Sequence, residues 1–439
     1  MIVYRTLRLF AACLLWCQFV SAQEIRTIDF IYDPQIRTVL LYPVVGDPNN
    51  PAQTLNPPVI PLEEGVPLQL EFDDLTANYR SFRAKFIHCN TDWHRSALND
   101  IEFTYEYNDQ PITEYQVSMG TKVPYYHYRY PVPRVKLPGN YVLVVYDERN
   151  PRNIIFTRRF STYVSRIAVA ANVRFSTEVQ RQFNDQQIEF TIDYKGYQVI
   201  SPQDDFRVVI RQNYRDDRVI RGLKPTNVRV FDNILEYRLV DLSNTFPGGN
   251  EYRFFDTRTV MSLANFVAHI ERRSDRNFAY IMVDQPRGRG AYLQNDDFNG
   301  QYVIDHRETR NGATEADYIE TVFTLKTDEM PNAEVYVNGS FNLWLLNDRN
   351  RMTYNAAERA YQAAILLKQG IYNYNYSVKG ISPPVTRTGM TPSEGNELLL
   401  EGSYSATEND YEIFVYNRPP GARADQLVGY RKIGYNKRK

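Results

Sequence analysis

Short runs of residues with period-two alternation, rich in β-branched and aromatic side chains, recur along most of this chain, and no long stretch carries helical periodicity. The runs cover residues 37–42, 67–72, 79–88, 141–146, 188–192, 206–212 and 235–239. Turn chemistry separates them: Pro138-Gly139-Asn140, Lys195-Gly196 and Asn299-Gly300 supply residues that tolerate positive φ. Two short stretches, 357–364 and 257–263, could be helical, but neither is long enough to build a helical domain. Irregular strand spacing, no fixed repeat and a polar ending at Asn436-Lys437-Arg438-Lys439 argue against propellers, solenoids and membrane barrels. The expected fold is all-β, a tandem of Ig-like or early-set β-sandwiches.

The start of the chain predicts export. Arg5 and Arg8 precede an apolar run over 9–20, and Val20-Ser21-Ala22 offers a cleavage site before Gln23. Lipoprotein processing at Cys13 is a competing reading, but it leaves only residues 9–12 as an apolar region, short of the ~7–15 such a leader uses. Cleavage after Ala22 leaves chain enough for about three domains at ~100–200 residues each. Expected divisions are 1–22 (leader), 23–164 (first sandwich), 165–312 (middle sandwich) and 313–439 (early-set-like sandwich), the breaks placed after a strand ending near Val164 and at Asn311-Gly312-Ala313.

Of the three cysteines only Cys89 lies beyond the leader, so no disulfide can form within the mature chain and buried cores must hold it. A formal charge of −1, made slightly more negative by loss of Arg5 and Arg8, provides no field for nucleic acid. Thirty-four tyrosines and twenty-three phenylalanines suit pleated, half-buried surfaces and protein contacts.

Residues that could carry chemistry are few. His88, Cys89, Asp92 and His94 are a local group of ligand types, but their spacing fits no structural zinc pattern and a strand would send His88 and Cys89 to opposite faces. Residues 295–300 have a calcium-loop look, yet His306 stands where an EF-hand needs its twelfth-position carboxylate. No nucleophile elbow, phosphate loop or His-Glu-x-x-His pair occurs, and adjacent carboxylates such as Asp204 and Asp205 diverge in a strand. No catalytic residue, metal site or cofactor is expected. On a strand over 125–130, Tyr126, Tyr128 and Tyr130 share one face, which either packs on a core or meets a protein partner.

Six strings together are more specific than any one: Phe86-Ile87-His88-Cys89-Asn90-Thr91-Asp92-Trp93, Tyr126-His127-Tyr128, Arg211-Gln212-Asn213, Pro247-Gly248-Gly249-Asn250-Glu251-Tyr252-Arg253-Phe254-Phe255-Asp256, Asn299-Gly300-Gln301-Tyr302 and Leu367-Lys368-Gln369-Gly370-Ile371-Tyr372-Asn373-Tyr374. In that order the chain resembles the plug protein family of the Bacteroidetes type IX secretion system. The resemblance implies a non-enzymatic periplasmic protein, peripheral to the inner face of the outer membrane, that docks on the outer-membrane translocon barrel and seals its opening when no cargo is present.

A second resemblance covers the third domain. Gly339-Ser340-Phe341-Asn342-Leu343-Trp344 and the strand carrying Tyr372, Tyr374 and Tyr376 are similar to the early-set module that binds glycogen and starch. In that module an indole at the Trp344 position stacks on sugar, helped by a lysine and a second tryptophan; here those two positions hold Asn375 and Ser382. Trp344, Tyr372, Tyr374 and Tyr376 are therefore expected either to contact glycan or a partner, or to pack the sandwich. The alternative function this implies is periplasmic glycan binding.

Overall fold

The computed structural model describes residues 24–47, 49–381, 390 and 394–437; the leader and Ser382 lie outside them. Over the described residues the chain is all-β, built from six sheets that pair into three sandwiches.

The first sandwich contains β1 (Phe30–Ile31), β2 (Ile36–Pro43), β3 (Val59–Pro61), β4 (Leu68–Asp74), β5 (Phe82–Cys89), β6 (Gln110–Ile112), β7 (Glu114–Val117), β8 (Tyr126–Val132), β9 (Gly139–Asp147) and β10 (Asn150–Tyr163). One sheet runs β1-β10-β9-β5-β6 with β3 parallel to β10, and the other runs β2-β4-β8-β7. Their facing side chains, among them Leu70, Phe72, Tyr128, Tyr141 and Phe156, close one core. His88 is packed edge-on to Tyr141 on that side, while Cys89 points the other way into a small cluster with Trp93 and Val142, as strand alternation requires.

The middle sandwich starts with β11 (Ala168–Phe175), β12 (Asp185–Asp193), β13 (Arg207–Gln212), β14 (Val219–Arg221), β15 (Asn227–Arg229), β16 (Ile234–Tyr237) and β17 (Thr245–Pro247). The chain then leaves it for the third sandwich: β18 (Arg253–Asp256), β19 (Val267–Arg272), β20 (Asn277–Ile281), β21 (Tyr302–Ile304), β22 (Tyr318–Lys326), β23 (Glu334–Asn338), β24 (Thr353–Asn355), β25 (Ala360–Lys368) and β26 (Gly370–Lys379). Finally β27 (Asn409–Asn417) and β28 (Gln426–Tyr435) return to complete the middle sandwich, in the sheet β14-β13-β27-β28. Tyr411, Ile413, Val415 and Val428 accordingly share a core with Ile188, Ile210 and Leu235.

The third sandwich is thus inserted into the middle one, which corrects the expected division at 312/313. Tyr302 and Ile319 flank that break yet belong to one core. The small polar stretch that suggested a linker is a loop of the third domain packed on the first, with the Ala313 carbonyl accepting from Tyr125 (3.2 Å) and Lys368 (2.8 Å). The strands in and out of the insertion run side by side at Pro247-Gly248-Gly249-Asn250. Tyr404 N–H donates to the Gly249 carbonyl (2.8 Å), and a Cβ at Gly248 would sit 2.0 Å from the Tyr404 carbonyl oxygen. Only glycine permits that approach.

Each strand-like run read from the sequence overlaps a strand, although 79–81 and 238–239 fall outside β5 and β16. Residues 357–364 do not form a helix; they span the β24–β25 turn and enter β25, because pairing with β22 overrides weak helical preference. Residues 257–263 form an irregular bend.

Candidate functional site

Tyrosines expected at a contact surface are mostly inside. β26 hydrogen-bonds to β18, β21 and β23 and is covered on both faces. Tyr372, Tyr374 and Tyr376 are buried, with hydroxyls donating to the Lys368 carbonyl (2.6 Å) and to Asp284 (2.7 and 2.8 Å). They cannot reach glycan or a partner without unfolding the domain. Tyr128 and Tyr130 are buried in the first core as well, Tyr128 stacked on Phe72 at 4.9 Å, and Tyr126 is half-buried.

Trp344 is half-buried, with one face taken. The Arg215 guanidinium lies 3.8 Å over its ring, Tyr252 abuts it at 5.8 Å, and its far edge fills the space a side chain at Gly300 would need. Asn375, at the lysine position, is buried and donates to Glu397. On its covered face this indole packs one domain against another.

The ligand-type residues of the first domain are dispersed in the same way. His88 bonds Ser96 Oγ at 3.0 Å, and burial holds its pKa at about 4. Burial pushes the Cys89 thiol up to about 12, leaving it inert. In the supposed calcium loop, burial, followed by the nearby Glu251, raises Asp297 to about 8, and its oxygens accept from the Tyr252 and Asn299 amides.

What the six strings help to build instead is a set of three buried polar seams. Between the first and third domains, Asp73 of β4 receives Lys368 Nζ, Tyr318 Oη and His127 Nδ1, each at 2.7 Å. Lys368 Nζ also sits 4.2 Å from the Tyr125 ring centre. Burial would raise the Asp73 carboxyl, but Lys368 and His127 outweigh it and keep Asp73 below its ordinary range.

Between the middle and third domains, fully buried Arg215 reaches Asp217 (3.0 and 2.5 Å), Glu397 and the Tyr252 hydroxyl (3.2 Å) while stacking on Trp344. Arg218 adds a second contact to Glu397 at 3.2 Å. Burial alone would raise Glu397; Arg215 and Arg218 bring it down to about 2.

Between the first and middle domains, Arg159 of β10 and Arg211 of β13 share Asp216 at 2.9 and 3.0 Å, and Arg211 also pairs with Glu412 at 2.7 Å. Asp425 accepts from Thr91 N–H and hydroxyl (3.0 and 2.8 Å), and its own amide donates to Asn90 (3.1 Å). Backbone bonds from Val164 to Leu427 and from Arg166 to Val428 carry the first domain onto β28. A cavity of about 640 Å³ lies where the domains converge, bordered by Leu40 and Trp93 of the first, Arg211 and Asp216 of the middle, and Asn338 and Trp344 of the third.

Sequence reasoning missed Asp73, Lys368, Arg215 and Glu397 as seam residues. The available signal was a lone charge at an inward register of an apolar strand, as Lys368 is after Ile365-Leu366-Leu367. Its partner could not be read, since Asp73 is 295 residues away.

Residues 36–164, the first sandwich, match the family model described as the type 9 secretion system plug protein first domain. The chain belongs to the type IX secretion plug family. The similarity of this plug-family chain to solved structures extends further: it is 30% identical to a hypothetical protein from Parabacteroides merdae, whose crystal structure superposes with a TM-score of 0.84 over 94% of this chain and all of that one. No curated protein matches the plug chain. Among its described residues no helix is long and apolar enough to cross a membrane.

Proposed function

We propose that this plug-family protein closes the periplasmic opening of the type IX translocon barrel when cargo is absent, acting as a rigid stopper without chemical turnover. An element that blocks an aperture must not flex apart, and the single observation that carries the reading is the set of three buried seams fusing three sandwiches. Inter-domain contacts within a chain are ordinarily polar and mobile; here each contains charged groups shielded from solvent whose separation would leave them unpaired. The protein would associate peripherally with the inner face of the outer membrane through a protein partner.

Affinity purification of the tagged protein from gently solubilised outer membranes tests this directly. A very large barrel subunit should co-purify, and cells lacking the plug should leak small periplasmic solutes or admit excluded antibiotics. Free protein alone, together with an envelope as tight as that of the parent, would defeat the proposal.

A further inference from the structure

The edge strand β7 is exposed along its whole length. Edges are normally blunted by proline, positive charge or a bulge, and three here are: β6 contains Pro111, β2 is broken by a bulge between Arg37 and Leu40, and β28 carries Arg431 and Lys432. β7 reads Glu114-Tyr115-Gln116-Val117, is exposed at all four residues and has a strand on one side only. Tyr115 and Val117 are 43% and 52% exposed, and Met119 just beyond is 58% exposed.

Ladder geometry sets which backbone groups are open. Ser118 N–H donates to the Tyr125 carbonyl at 2.9 Å, and the register pairs Gln116 with His127 and Val117 with Tyr126. Hydrogen-bonded pairs alternate along an antiparallel ladder, so Gln116 and Glu114 turn their backbone groups toward β8 while Tyr115 and Val117 turn theirs to solvent. Neither has a backbone partner on that side among the described residues. The side chains of Tyr115 and Val117 share a face with a tyrosine patch, the Tyr115 ring lying 4.5 Å from Tyr79 and 6.1 Å from Tyr126.

We propose that β7 is a docking edge onto which an extended segment of a protein partner adds as a further strand. Outward amides and carbonyls two residues apart are complemented by another extended backbone, and the bordering Tyr79, Tyr115 and Val117 favour aromatic or β-branched residues at alternate positions of the incoming segment. A second copy of this chain is the poorer occupant, because pairing two four-residue strands buries far less than the ~1,200 Å² at which stable interfaces begin. The inference rests on the plug reading only for the compartment in which the partner is sought.

The test places the photo-cross-linker p-benzoylphenylalanine at position 115 of the full chain in the cells that export it. One heteromeric product is expected, linked to a defined segment of one protein. Val117→Pro, which removes an outward amide N–H without deleting a bond to β8, should lower its yield at least tenfold with the thermal midpoint little changed. Should that variant misfold, Val117→Lys, which leaves the backbone intact and charges the edge, should produce the same loss. Yield unaffected by the folded variant, a product made only of two copies of this chain, or no product would each overturn the proposal. Barrel co-purification without a product at 115 would sink the edge and spare the plug reading; a product with a protein other than the barrel, and no barrel recovered, would do the reverse.

Discussion

β26 and β7 both carry tyrosine on alternating strands, and they meet opposite fates. In β26 the rings are sealed between sheets and their hydroxyls are spent on internal carboxylate and carbonyl acceptors; in β7 the ring and the backbone beside it face water. Alternation decides which side chains share a face. It does not decide whether that face is covered, because cover comes from a strand's place in its sheet: β26 is bonded to three strands and β7 to one.

The contrast can be broken most severely from the interior. Lys368→Met leaves buried Asp73 without its lysine, held only by Tyr318 and His127, and should cost about 3–5 kcal/mol in denaturant unfolding. Adding Asp73→Asn to Lys368→Met should restore much of the loss, since removing both charges removes the uncompensated one.

Acid is the next lever. The Glu397 pKa falls from 4.5 to about 2 on folding, so the unfolded chain binds its proton first. The stability it contributes is complete above about pH 4.5 and lost as pH falls toward 2, up to on the order of 3 kcal/mol. Glu397→Gln should flatten the unfolding midpoint over that window, at a lower plateau. A profile identical to that of the parent would rule out the low Glu397 pKa.

Tyr374→Phe removes one hydroxyl from Asp284 without opening a cavity, and about 1–2 kcal/mol should be lost. At the open end of the comparison, Tyr115→Ala should alter the thermal midpoint by the equivalent of ~0.5 kcal/mol or less. A loss there as large as that of Tyr374→Phe would mean that β7 is a structural element after all.

Much of this architecture could be read without coordinates. Strand runs at 67–72, 141–146 and 206–212, the absence of long helices and the turn at 299–300 follow from local chemistry, and local chemistry is what a sequence displays. Sheet partners do not follow. Nothing near residue 411 announces that β27 bonds β13 two hundred residues earlier, so the insertion was invisible and a polar loop at 311–313 passed for a linker. The resemblance strings located functional territory without its meaning: His127, Arg211, Tyr252 and Lys368 occur in them, yet they meet across seams that only the tertiary fold brings together.

Insertion of one sandwich into another also sets an order of events. β13 waits for β27, which is made only after the entire third sandwich, so the middle sheet stays open until residues 409–435 have been synthesised. Joining of all three bodies therefore reports that synthesis has run past those residues, and a product truncated ahead of β27 would lack the two strands that complete the middle sheet.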